Sequence, residues 1–205
     1  MQKPIPSLFF SSILALLCSC TKYPLKPQDF QERTLAKLLC KEINHVRKRH
    51  DRQKLRNRSV LQKTAQEYAS LLQKNIFFSH QNPLQEDQKT PLQRIIALGG
   101  ARYSTLENLA KITIFQVPVS QKKFFILDRE KGLFSILPNG PPLTYHTYKS
   151  ASESIIQAWL DSPSHKKALL HPEMNTTGCG SSLFIDNNGI PMIIGVQLFQ
   201  EEQTQ

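Results

Sequence analysis

Three side chains could do chemistry, each for a local reason. His165 follows a forced corner. Residues 152–162 read as a helix carrying the only tryptophan, Trp159, and Ser162-Pro163 stops it. The residue before a proline is pushed out of the α region, and a proline can only open the next helix. Ser162 is expected to cap that turn with Pro163 at its first position, leaving His165 on a short second helix, residues 166–170. A tryptophan, a corner and a histidine just past it fix where an imidazole points. His80 sits just past the apolar plug Ile76-Phe77-Phe78-Ser79. Glu107 is flanked by apolar residues in Leu106-Glu107-Asn108-Leu109-Ala110. A carboxylate buried there needs hydrogen bonds or a cation, and taken alone it reads as a glutamate tying a loop.

The elements that must position these groups follow from periodicity. Leu35, Leu38, Leu39, Ile43 and Val46 fall at helical spacing over residues 34–50. Ser59 opens a second helix with Leu61, Ala65, Tyr68, Ala69 and Leu72 on its core side, ending near Asn75. Thr90-Pro91 opens a third, closed by Gly99-Gly100. Residues 112–149 read as an insertion with strands at 112–115, 123–127 and 133–137 and a turn at 128–132, a β-hairpin. Residues 181–185 and 191–199 form a second hairpin, in which Asn188-Gly189 signals a type I′ turn. Residues 201–205 are a polar tail.

The N-terminus speaks to compartment. Residues 8–17 are an apolar and serine run, too short to span a bilayer but right for a signal peptide. Leu17-Cys18-Ser19-Cys20 resembles a bacterial lipobox, so Cys20 is the expected lipidation site, after a signal peptide over 1–19. Lipidation would anchor the chain to a membrane. An ordinary secretory signal and an uncleaved anchor are the alternatives. Residues 20–33, with Pro24 and Pro27, read as a tether. Cys40 and Cys179 remain. Export would permit a disulfide between them, and two small buried hydrophobes are the preferred reading.

The 205 residues carry a net charge of +10 with 40% hydrophobic and 20% charged residues, globular values. Much of the charge lies between Arg33 and Arg58, including Arg47, Lys48, Arg49, Arg52, Lys54, Arg56 and Arg58. This reads as a solvated helix face and loop. No aromatics interleave with it, so nucleic acid is not an expected partner. Attraction to an anionic membrane surface stays open.

The ordered pieces resemble the CAP superfamily of cysteine-rich secretory, antigen 5 and pathogenesis-related proteins, the SCP domain, in its bacterial exported branch. Asn44 with Arg47 resembles the first-helix pattern of that family. Ala65, Tyr68 and Ala69 resemble the second helix, and Phe78-Ser79-His80 resembles F-S-H. Arg94 with Gly99, Glu107-Asn108-Leu109-Ala110, Trp159 with Ser162-Pro163-Ser164-His165 and Leu170, and Gly178-Cys179-Gly180 follow in the family's order. They cover roughly residues 35–199 within a domain over 34–200.

The resemblance implies an α+β fold, an α-β-α three-layer sandwich with a central antiparallel sheet. It also implies a cavity lined by two histidines and two acidic residues, carried here by His80, Glu107 and His165. The fourth position is Ser162, with Asp161 as its acidic neighbour, so the acidic set departs from the pattern. His80, Glu107 and His165 would be the ligands of zinc or another divalent cation, with a water completing the centre. The alternative is that they hydrogen-bond one another and tie loops together. Two functions compete. One is a monomeric binding module, anchored through Cys20, taking a lipid, protein or peptide ligand. The other is a metal-dependent, peptidase-like hydrolase. A serine nucleophile, Ser79 or Ser164, would need an imidazole in reach, and no G-x-S-x-G elbow supports one.

Overall fold

The computed structural model describes residues 24–75, 77–121 and 123–203. The signal peptide, the lipobox-like Leu17–Cys20 with its lipidation site, and the start of the tether lie outside the described residues. The described chain forms five α-helices: α1 (Glu32–Arg49), α2 (Ser59–Asn75), α3 (Pro91–Ala97), α4 (Tyr148–Asp161) and α5 (Pro163–Leu169). The strands are β1 (Arg56–Asn57), β2 (Ser104–Thr113), β3 (Phe125–Asp128), β4 (Leu133–Ser135), β5 (Thr176–Ile185) and β6 (Pro191–Glu201).

The central sheet runs in the order β1-β5-β6-β2. Its three long strands are antiparallel, with Leu109 opposite Val196 and Gly180 opposite Val196 on the other side. The two-residue β1 adds parallel to β5, so the sheet is mixed rather than wholly antiparallel. Side chains alternate across it. Ile193 and Phe199 join the core under α1, α4 and α5. Ile194, Val196 and Leu198 join the core under α2 and α3. The result is the three-layer sandwich.

Local chemistry explains how the layers close. Gly178 and Gly180 lie against the α2 backbone at Leu61-Gln62 and Ala65-Gln66, leaving no room for a Cβ. The amide side chains of Gln62 and Gln66, one helical turn apart, then bond the β5 backbone. Gln62 pairs with the peptide groups of Cys179, and Gln66 with those of Ser181. Two glutamines thus satisfy the β5 edge beyond the short β1, covering groups that could otherwise recruit another strand. On the opposite face Cys40 of α1 and Cys179 of β5 are joined as a disulfide, Cα atoms 5.9 Å apart. The preference for two free buried cysteines is corrected. Closing a loop of 139 residues is worth up to about 5 kcal/mol in the chain-entropy account.

Other local expectations change. Ile112 and Thr113 are not the start of the insertion but the end of central strand β2, paired with Ile193 and Met192. Helix α4 starts at Tyr148, four residues before Ser152, because Thr147 and Ser150 form a reciprocal capping box. Ser162 makes no capping bond, and Pro163 alone opens α5. The β5–β6 connection is not a type I′ turn, since of its residues only Gly189 has positive φ, +80°. Instead Asp186 Oδ1 accepts from the amides of Asn188 and Ile190. Within the insertion, β3 and β4 pair antiparallel with a bulge between Ile126 and Asp128. An aromatic cluster docks this hairpin, Phe115 lying 5.0 Å from Phe134 and 4.9 Å from Tyr145, ring centre to ring centre.

The basic run also divides. Arg47 is fully buried. Its guanidinium donates to the carbonyls of Gln53, Leu169, His171 and Met174, fastening α1 to the turn after α5. Burial lowers its pKa to about 10. Asn44 beside it pairs with both peptide groups of Leu55.

Candidate functional site

Glu107 and Asn108 are neighbours on β2, so they point to opposite faces of the sheet. Glu107 faces α2 and α3. Its side chain is 1% exposed and both carboxylate oxygens are taken. Oε2 accepts from Arg94 Nη2 of α3 at 2.6 Å. Oε1 lies 3.0 Å from His80 Nδ1. Arg94 Nη1 also donates to the carbonyls of His80 and Lys89. Its guanidinium stacks 3.4 Å from the ring centre of Tyr68. The Tyr68 hydroxyl donates to Ser79 O at 2.6 Å, and burial pushes its pKa up to about 12. Arg94, Glu107 and Tyr68 therefore clamp the segment carrying His80.

Asn108 faces the other layer and donates through Nδ2 to His165 O at 3.1 Å. It positions the backbone of α5 rather than an imidazole. Because β2 is an edge strand of the sheet, the two histidines approach one another at its rim. Their ring centres are 6.1 Å apart and the planes tilt by 47°. His80 is half-exposed. His165 is partly covered, and burial, followed by repulsion from His80, lowers its pKa.

The expected group is therefore brought together in part. His80 meets Glu107, and His165 meets His80. Asp161 does not enter this network: its Oδ1 accepts from Gln157 Nε2 on its own helix at 2.7 Å, and it lines a groove with Val117–Ser120, Glu153 and Gln157. Glu107 is held by a guanidinium, and among the described residues no three His, Cys, Asp or Glu side chains converge to hold a metal ion. The residues as placed do not fit a three-ligand centre. Neither serine reaches an imidazole: Ser79 Oγ accepts from the Gln81 amide, and Ser164 Oγ bonds Ser162 Oγ.

Sequence reasoning named the need for hydrogen bonds or a cation at Glu107 but did not pick out Arg94 as the partner. The signal was present, since Arg94 directly precedes core residue Ile95 in a short helix. It also missed two grooves at the Lys111–Thr113 end of β2, neither of them lined by His80 or His165. One, of about 280 Å³, is lined by Phe77, Phe78, Lys111, Phe184, Asn187 and Ile194 among others. The second, of about 460 Å³, includes Val119, Lys123 and Ile126 of the insertion. They share Lys111, Asp186, Asn188 and Met192.

The fold is similar to that of several solved bacterial proteins. An outer surface protein from Borrelia burgdorferi aligns with a TM-score of 0.54 at 23% identity, over 84% of this chain and 98% of that one. An extracellular SCP-domain protein from Bacillus anthracis aligns with a TM-score of 0.55 at 17% identity, over 88% of this chain and 45% of that one. A cysteine-rich secretory protein from Staphylococcus aureus gives 0.50 at 14% identity, over 85% and 40%. A search of curated protein sequences returns no significant match. Among the described residues no helix is long and apolar enough to cross a membrane. The family model for the cysteine-rich secretory protein family, CAP, matches residues 40–198. That span holds the three-layer core, the clamp on His80 and the rim where His165 meets it, and the chain belongs to the CAP family.

Proposed function

We propose that this chain is an exported binding module, anchored through a lipidated Cys20, whose ligand surface is the pair of joined grooves around Lys111 and Met192, at the end of β2 away from the His80–His165 rim. The observation that carries the reading is the commitment of Glu107. With both oxygens bound to Arg94 and His80, the carboxylate is a structural tie and is not free to act as base or ligand. What remains accessible is an amphipathic surface of Phe78, Val119, Ile126 and Met192, flanked by Lys111 and Lys123. Phe78, Val119 and Ile126 are exposed, and Lys111 Nζ lies 5.3 Å from the Phe78 ring centre. Such a surface suits a ligand with an apolar body and an anionic end.

Two experiments test this. The fluorescent probe 1-anilinonaphthalene-8-sulfonate, apolar with one sulfonate, binds the full chain in a saturable way. Phe78→Ala with Lys111→Gln weakens that binding at least fivefold. Saturable binding unchanged in the double variant would place the ligand surface elsewhere. In parallel, peptide and ester hydrolysis are followed with and without added zinc. Turnover that depends on His165 would instead establish the hydrolase. Incorporation of radiolabelled palmitate, lost in Cys20→Ala, tests the anchor.

A further inference from the structure

The outer face of α1 carries a cationic groove that shares no lining residue with the two grooves around Lys111. Its volume is about 510 Å³ and its lining includes Lys37, Lys41, His45, Lys48, Arg52 and Lys54. We infer that it is a docking site for a linear sulfated polysaccharide.

The sequence spacing makes the row. Lys37, Lys41, His45 and Lys48 fall at i, i+4, i+8 and i+11, so they stand on one side of the helix. From Lys37 to Lys48 the row runs roughly 16 Å along the axis. Arg52 and Lys54 extend it past the helix end. Neighbouring like charges on a helix repel, and little here relieves them. Among the described residues, the lysines in ion pairs are Lys63, Lys89, Lys131 and Lys149, none of them in this groove. His45 Nδ1 is 3.0 Å from Glu42, whose side chain is mostly covered. Arg52 Nε donates to Leu170 O.

Other cations of the same run have evident folding roles. Arg47 ties α1 to the turn after α5, and Arg56 and Arg58 pair with Glu202. Arg49 complements the helix C-terminus. Lys37, Lys41 and Lys54 have no such role.

The occupant follows from charge and shape. A row of cations about 6 Å apart matches a polymer with repeating, permanently ionised groups. The surface is concave, which fits a strand better than a planar bilayer. No Phe, Tyr or Trp lines it, so it lacks the row of large aromatic platforms on which successive bases stack.

The test uses the full chain in non-ionic detergent with four probes: heparin, the same polymer chemically desulfated, phosphatidylglycerol vesicles and single-stranded DNA. Heparin is expected to bind and desulfated polymer to bind at least tenfold more weakly. The triple variant Lys37→Gln, Lys41→Gln, Lys48→Gln should lose at least tenfold in heparin affinity. Its slope of log affinity against log salt should fall by about three, one per cation removed. The control Lys131→Gln with Lys149→Gln should match the parent. All changes are at exposed positions, and matched melting temperatures verify folding. If the triple variant does not fold, Lys54→Gln, outside any helix, is expected to lower the slope by about one. Heparin binding indifferent to these changes would overturn the inference. So would vesicles or DNA binding this face as tightly as heparin.

Discussion

Glu107 and Asn108 occupy adjacent positions on one strand, yet their surroundings differ in kind. On the α3 side the carboxylate is closed in by a guanidinium and an imidazole. On the α5 side the amide makes one bond, to a main-chain carbonyl. The first environment holds a charge pair nearly out of water, where each partner depends on the other. The second holds a neutral group whose removal costs one hydrogen bond. Both serve to bring a histidine to the rim of β2, one by its ring and the other by its backbone. The pair of histidines is thus set from both faces of the sheet, and neither arrangement leaves a carboxylate free for chemistry.

Breaking the charged side should have the largest effect. Glu107→Gln leaves Arg94, 5% exposed, facing an uncharged amide. We expect a loss of about 3 kcal/mol or more, a fall in Tm of roughly 10 °C. Adding Arg94→Met should restore part of it, and a calorimetric double-mutant cycle reads the coupling.

A histidine buried elsewhere sharpens the contrast with the accessible pair. His146 lies 3.0 Å from Ser150 Oγ, and burial lowers its pKa to about 4. The folded value is below the unfolded one, near 6.5. Its neutral form therefore supports the fold fully above pH 6.5, and that support is lost as pH falls toward 4. The expected loss is about 3 kcal/mol. Urea unfolding between pH 7 and 4 should show it, and His146→Gln should flatten that part of the profile. His165 is shifted in the same direction and should add a smaller loss in the same acid window.

On the neutral side, Asn108→Ala is expected to cost about 1 kcal/mol and to shift the His165 ring signals in an NMR spectrum more than those of His80. Smallest is His80→Ala. The ring is half-exposed, so its pairing with Glu107 contributes under about 1 kcal/mol, and chemical denaturation should barely register it.

The layered fold was legible because apolar spacing marks helices and strands directly. Leu35, Leu39 and Ile43 mark the inner stripe of α1, and Ile193 with Ile194 marks a strand covered on both faces. The two histidines were legible through the corner at Pro163 and the plug before His80. Long-range pairing was not. Nothing in the local pattern says that Arg94 answers Glu107, that Arg47 collects carbonyls about 125 residues away, or that Cys40 faces Cys179. Such partners are chosen by the packing of layers. Asp161 shows the reverse error: adjacency to Ser162 placed it in the cavity, while a glutamine one turn back holds its carboxylate.

The most direct measurement is a calorimetric zinc titration of the full chain at pH 7.5, beside His80→Ala. With Glu107 committed to Arg94 and His80, the account predicts no one-to-one uptake at micromolar zinc and no difference between the two proteins. One-to-one micromolar binding that disappears in His80→Ala would contradict it. Such binding would put a metal on the remaining ring nitrogens of the two histidines, with Glu107 holding the His80 ring from behind.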